Sequence, residues 1–176
     1  MSRERRRAHG AKRLPATELS ARVERIISGG QTGVDRAALD VALAMGIHCG
    51  GWCPKGRRAE DGRIPSRYPL VEITSPAYAP RTRRNVLESD ATLILFRGEP
   101  RGGTLLTRRT AARLDKPCLW VDLDAPTALA DIRVWLRENA IRVLNVAGPR
   151  ESQSPGITLQ ATRLLHALFA EPEGVK

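Results

Sequence analysis

The sequence predicts an α/β fold, a doubly wound, mostly parallel sheet flanked by helices, on three observations. Six short apolar runs recur along the chain, helical patterns separate them, and glycine-rich turns follow several of the runs. The longer runs are continuous rather than alternating, as strands covered on both faces require. Strands that alternate with amphipathic helices of about ten to fifteen residues are the repeat of βαβ units.

The runs span residues 25–28, 46–49, 70–73, 91–96, 118–123 and 143–147. Between them, 35–45 places Ala38, Leu39, Ala42 and Leu43 on one helical face, at spacings of three and four. The patterns at 81–89, 104–114, 125–139 and 156–170 predict four more helices. Segment 50–69 is rich in Gly, Pro and charge and lacks a period, so it predicts a long surface loop of the kind that often carries function.

The chain has 176 residues and a net charge of +10, unevenly spread. Residues 1–25 carry eight basic and three acidic side chains, and residues 55–84 the same numbers. The first zone, with no apolar period, is expected to be a disordered tail over 1–22, leaving 23–172 as one ligand-binding domain. Without an aromatic platform beside its arginines, this tail points away from nucleic acid. No apolar run reaches membrane-spanning length and no secretory segment is present, so a cytoplasmic protein is expected. Of the three cysteines, Cys49 and Cys53 lack further ligands nearby, so neither a metal site nor a disulfide framework is expected.

Ligands of open α/β sheets sit beyond the carboxyl ends of the strands. After the first run comes Gly29-Gly30-Gln31-Thr32-Gly33, then Asp35 and a helix. Glycines permit positive φ and close approach, and a helix N-terminus favours an oxyanion. Gln31 and Thr32 add side-chain donors, and Asp35 is a candidate cap or ligand contact. A second turn, Gly102-Gly103-Thr104, opens another helix, and Arg150 and Ser152 follow the last run. Lys55, Arg57 and Arg58 lie in the long loop, and Arg81 with Thr82 and Asn85 starts a helix, where an anion would offset the unfavourable charge. The expected ligand is therefore a small anion. Asp35, Glu60 and Asp61 are the available acids or bases, with Glu60-Asp61-Gly62 equally readable as a turn. No paired carboxylates or Ser/His/Asp arrangement marks a catalytic centre, and His48 and His166 read as packing or surface residues.

At these motifs the chain resembles the molybdenum carrier family, also called molybdenum cofactor carrier proteins. The resemblance rests on residues 26–39, on Gly51-Trp52-Cys53-Pro54-Lys55-Gly56-Arg57 with Ala59-Glu60-Asp61-Gly62, on Arg81-Thr82 with Asn85, on Gly102-Gly103-Thr104 and on 145–152. It spans about residues 24–170. It implies a Rossmann-like fold, a homo-oligomer (tetramer or dimer), and molybdenum cofactor, held by its phosphate, or molybdate as ligand. The alternative is a nucleotide-binding protein or nucleotide-processing hydrolase of the related lysine-decarboxylase-like superfamily, with a nucleotide or phosphate as ligand. The phosphoribohydrolases of that superfamily follow their Gly-Gly-x-Gly-Thr turn with a catalytic Glu. Here Thr104 is followed by Leu105-Leu106-Thr107 and no Glu, which points toward carrying a ligand rather than cleaving it.

Overall fold

Residues 23–126 and 128–170 are described by a computed structural model; the predicted basic tail at 1–22 lies outside them. The apolar runs become β1 (Arg25–Ile27), β2 (His48–Cys53), β5 (Leu70–Glu72), β6 (Ala91–Phe96), β7 (Cys118–Asp122) and β8 (Val143–Ala147). They form one six-stranded sheet in the order β5-β2-β1-β8-β6-β7, and every pairing within it is parallel. The helices are α1 (Val34–Ala44), α2 (Tyr78–Leu87), α3 (Gly102–Arg113), α4 (Leu129–Glu138) and α5 (Ile157–Phe169). The architecture is the Rossmann-like α/β fold that the sequence predicts. No described helix is long and apolar enough to cross a membrane.

Side-chain alternation explains the two layers. Ala91, Leu93 and Leu95 of β6 join Leu144 and Val146 of β8 in the main core, under α1, α4 and α5. The intervening Thr92 and Asn145 point to the other face, where Asn145 Nδ2 donates to Thr92 Oγ1 at 3.2 Å. Helices α2 and α3 pack on each other. Small residues on α1, Ala37, Ala38 and Ala42, are fully buried and bring its backbone close to the sheet and to α5.

Three sequence expectations are corrected. Segment 50–69 is not one long loop: β2 runs on through Gly50-Gly51-Trp52-Cys53, and β3 (Arg58–Ala59) and β4 (Gly62–Arg63) form an antiparallel hairpin. Gly51 reads as loop but is required in the strand, since a Cβ there would overlap the Ser28 carbonyl oxygen. Helix α2 starts at Tyr78 rather than Arg81, with Pro80 in its first turn, where no amide partner is needed. Helix α4 starts at Leu129 rather than at residue 125.

The segment after the hairpin is clamped by one arginine, and its Arg67 and Tyr68 are also tied to Asp40. Arg57, at φ 51°, donates from Nε to Ile64 O (3.0 Å), from Nη1 to Leu70 O (3.0 Å), and from Nη2 to Pro65 O (2.9 Å) and Tyr68 O (3.0 Å). This arginine, read from the sequence as part of a basic binding zone, is a clamp. Below it Ile64, Tyr68 and Leu70 pack with Leu39 and Cys53 in a second, smaller core. Arg57→Ala leaves four carbonyls without their donor and is expected to cost about 2–3 kcal/mol. Trypsin should then cut at Arg63 or Arg67 faster than in the parent protein; an unchanged digestion rate would refute the clamp.

Candidate functional site

The carboxyl ends of β1 and β8 and the first turns of α2 and α3 surround a cleft of about 190 Å³. Four structural pieces contribute. The β1 loop brings Gln31 and Asp35, α2 brings Tyr78, Arg81 and Thr82, α3 brings Gly103, Thr104 and Thr107, and the β8 loop brings Arg150 and Gln153.

Asp35 and Arg81 form the floor. The Asp35 side chain is 6% exposed and the Arg81 side chain 13%, with Arg81 Nη1 3.3 Å from Asp35 Oδ2. The same carboxylate oxygen accepts the Gln31 N–H at 3.3 Å. Burial pushes the Asp35 carboxyl above its ordinary range, and the Arg81 charge offsets part of that rise. Gly29 has to lack a side chain, because an added Cβ would overlap the Arg81 guanidinium.

Gln31 has its amide fixed by two donors. Its Oε1 accepts the Thr32 N–H at 3.0 Å and the Glu60 N–H at 2.9 Å. The amide NH2 therefore points away from both. That Nε2 is buried and finds no partner among the described residues, and the same holds for Arg81 Nε. Buried polar atoms are nearly always paired in native proteins. Both orphans are donors and both belong to residues of this cleft. Arg81 and Arg150 also lie 5.7 Å each from the Tyr78 ring centroid, within cation–π reach.

The helix ends reinforce this polarity. Neither α2 nor α3 has an acidic residue in its first turn or a side-chain cap from its N-cap residue. Two other helix starts are already served. In α1, Val34 N–H donates to Pro149 O and Arg36 N–H to Gln31 O. At α5, the Glu151 carboxylate accepts the N–H groups of Gly156 and Thr158. Partial positive charge from two helix ends, two guanidinium groups and two orphaned donors meet in one cleft that holds a single carboxylate.

The structure sorts the sequence candidates. Gln31, Asp35, Arg81, Thr82, Gly103, Thr104 and Arg150 line the cleft, with Gly29 beneath Arg81 and Gly102 opening α3. Gly30 and Gly33 adopt positive φ, 76° and 78°, and shape the turn. Thr32 and Ser152 turn elsewhere: both hydroxyls donate to the Glu60 carboxylate. Asn85 is spent on the strand beside it, accepting the Trp52 N–H at 2.7 Å and donating to Trp52 O at 3.1 Å. Lys55 is exposed and does not line the cleft. Asp35 is not an N-cap, a position that Gly33 holds. Sequence reasoning missed Tyr78, Thr107 and Gln153, which carry no charge and adjoin no turn glycine except through the fold. Thr107 stands where the phosphoribohydrolases have their Glu, and its hydroxyl donates to Gly103 O at 2.9 Å.

Residues 26–169 match the circularly permutated YpsA SLOG family. The chain is also similar to a crystal structure described as "Putative molybdenum carrier protein" from Syntrophus aciditrophicus. The identity is 47% and the TM-score 0.82, over 85% of this chain and 96% of that one. No curated protein matches the chain. A match over nearly the whole described fold shows that the chain belongs to the circularly permutated YpsA SLOG family.

Proposed function

We propose that this protein binds, in the cleft between α2, α3 and the β1 and β8 loops, a molybdenum-related oxyanionic ligand that it carries rather than cleaves. That ligand is molybdate, or molybdenum cofactor held by its phosphate. The observation that carries the reading is the pair of buried donors without partners, Gln31 Nε2 and Arg81 Nε. An oxyanion supplies acceptors to both, and the first turns of α2 and α3 add a favourable field. The similarity to the Syntrophus aciditrophicus protein described as "Putative molybdenum carrier protein" supports the choice of ligand.

Size divides the ligand. The cleft, at about 190 Å³, is smaller than the roughly 300–1,000 Å³ of sites that enclose a drug-sized molecule. It fits the anionic group alone. A second hollow of about 360 Å³, lined by Arg97, Arg101, Pro149 and Ser154, shares Gln153 with it and would take an organic remainder. The fit is to the phosphate or oxometallate end, and Gln31, Arg81, Thr104 and Arg150 would hold it. The alternative of nucleotide cleavage would need an acid or base in the cleft, where Asp35 is the one carboxyl among the described lining residues. Asp35 is tied to Arg81, and Thr107 replaces the expected Glu. The same reading has the protein acting in the cytoplasm as a homo-oligomer.

The test is metal analysis and native mass spectrometry of protein purified without heating, followed by equilibrium dialysis against molybdate and orthophosphate. One oxyanion per chain is expected, displaced by the other oxyanion. If molybdate, phosphate and cofactor all fail to bind at millimolar concentration, the reading falls.

A further inference from the structure

A second set of donors lies beside the cleft and is filled by the chain itself. Glu60 sits at the tip of the β3–β4 hairpin. Its Oε1 accepts the Thr32 hydroxyl, and the Ser152 N–H at 3.2 Å. Its Oε2 accepts the Ser152 hydroxyl and stands 3.8 Å from Arg150 Nε. Two hydroxyls, one amide and one guanidinium, from the loops after β1 and β8, converge on a single carboxylate. Donors of this kind, drawn from separate loops, are what proteins assemble around phosphate-like groups. An ordinary surface carboxylate meets a lysine or arginine in water, whereas three of the four donor groups on Glu60 are neutral.

The element that brings Glu60 there is peripheral. Strands β3 and β4 pair only with each other, apart from the main sheet. The Arg57 clamp fixes the segment after the hairpin, while the tip is tethered by Glu60 and by the Arg36–Asp61 pair. Glu60 and Asp61 at the tip belong to neither core, although Ala59 beside them packs against the smaller one.

We infer that the Thr32–Ser152–Arg150 donors are a second oxyanion subsite, held in the free protein by Glu60 as an internal stand-in for the anion. A tetrahedral oxyanion competes with Glu60 for it. This inference shares Arg150 with the proposed cleft and so rests in part on that reading, but it makes a separate claim about stoichiometry. Coupling between the two follows from the Glu60 N–H, which holds Gln31 Oε1 at 2.9 Å. While the tip stays down, the Gln31 NH2 is aimed at the cleft.

The experiment is equilibrium dialysis of the full chain against radiolabelled orthophosphate. Glu60→Ala keeps the backbone N–H on Gln31 and removes the carboxylate. It should bind two equivalents where the parent protein binds one, with the added site at least ten-fold tighter than any second site in the parent. Glu60→Ala combined with Ser152→Ala should return to one. If Glu60→Ala fails to fold, Glu60→Ser, which also empties the subsite and keeps a polar hairpin tip, gives the same readout. One equivalent in the folded Glu60 variant overturns the inference, and so does loss of all binding, which would make Glu60 a positioning residue. If the parent binds nothing and Glu60→Ala binds one equivalent lost with Ser152→Ala, the cleft reading fails and this one stands. If neither binds, both fail.

Discussion

Arg81→Ala should abolish oxyanion binding and also unsettle the fold. It removes the donor Nε and the charge that lines the cleft, and it strands Asp35, whose side chain is 6% exposed. Breaking a buried ion pair by deleting one partner costs about 3–5 kcal/mol, which for a chain of this size lowers Tm by about 10 °C. The pH dependence has a definite sign. Burial already raises the Asp35 carboxyl and Arg81 offsets part of that rise, so the variant raises it further. A carboxyl whose folded pKa exceeds its unfolded one gives its full stabilisation below the unfolded value, about 4, and loses it as pH rises through the folded value. The deficit of Arg81→Ala should therefore be small in mild acid and grow toward neutral pH. Thermal melts across that range check it. A deficit that is flat with pH would mean that Asp35 does not carry the charge that Arg81 neutralises. Arg81→Lys should restore much of the stability but little of the binding, because an ammonium cannot reproduce the fork of the guanidinium.

Gly33→Ala should be the most damaging single methyl group in the β1 loop. Gly33 has φ 78° and ψ −132°, a conformation that side chains scarcely adopt. An added Cβ would overlap the Pro149 carbonyl oxygen, a backbone atom with nowhere to go. That carbonyl accepts the Val34 N–H at 3.3 Å, so a shift would also open the start of α1. Strain and clash together predict a loss of about 3 kcal/mol or more. Gly46→Ala provides the control: its φ is also positive, at 67°, but no atom lies within 4 Å of the added Cβ. Denaturant melts should place Gly33→Ala well below Gly46→Ala. Equal losses would mean that backbone strain alone, and not the contact with Pro149, makes Gly33 necessary.

Local pattern made the strands and helices legible. Run 91–96 is apolar apart from Thr92 because β6 lies between β8 and β7 with both faces covered, and its bounds are those of the strand. Where local pattern misled, a distant neighbour decided. Gly50-Gly51 looks like the start of a loop, yet it continues β2 because the backbone of Ser28 passes too close for any side chain. Among the site residues, Gln31, Arg81, Thr104 and Arg150 are legible because each lies in or near a glycine turn or in the first turns of a helix. The role of Glu60 was hidden, because its partners Thr32 and Ser152 lie 28 and 92 residues away. Nothing in Ala59-Glu60-Asp61-Gly62 separates a solvated turn from a carboxylate set among donors. Arg57 misled in the same way: its charge suggested an anion, while its hydrogen bonds go to four carbonyls of its own chain.

The parallel pairing of β1 with β8 sets an order of events during synthesis. Arg25 pairs with Val143, and Ser28 Oγ donates to Val146 O across 118 residues of chain. Closing a loop of that length costs about 4 kcal/mol in chain entropy before any contact repays it. A chain emerging from the ribosome can pair β1 with β2 early, but the other edge of β1 stays open until residue 147 has appeared. Gln31 and Arg150 cannot share a cleft before that pairing forms. The cleft is therefore completed late, and a nascent chain cannot present it before its sheet is complete.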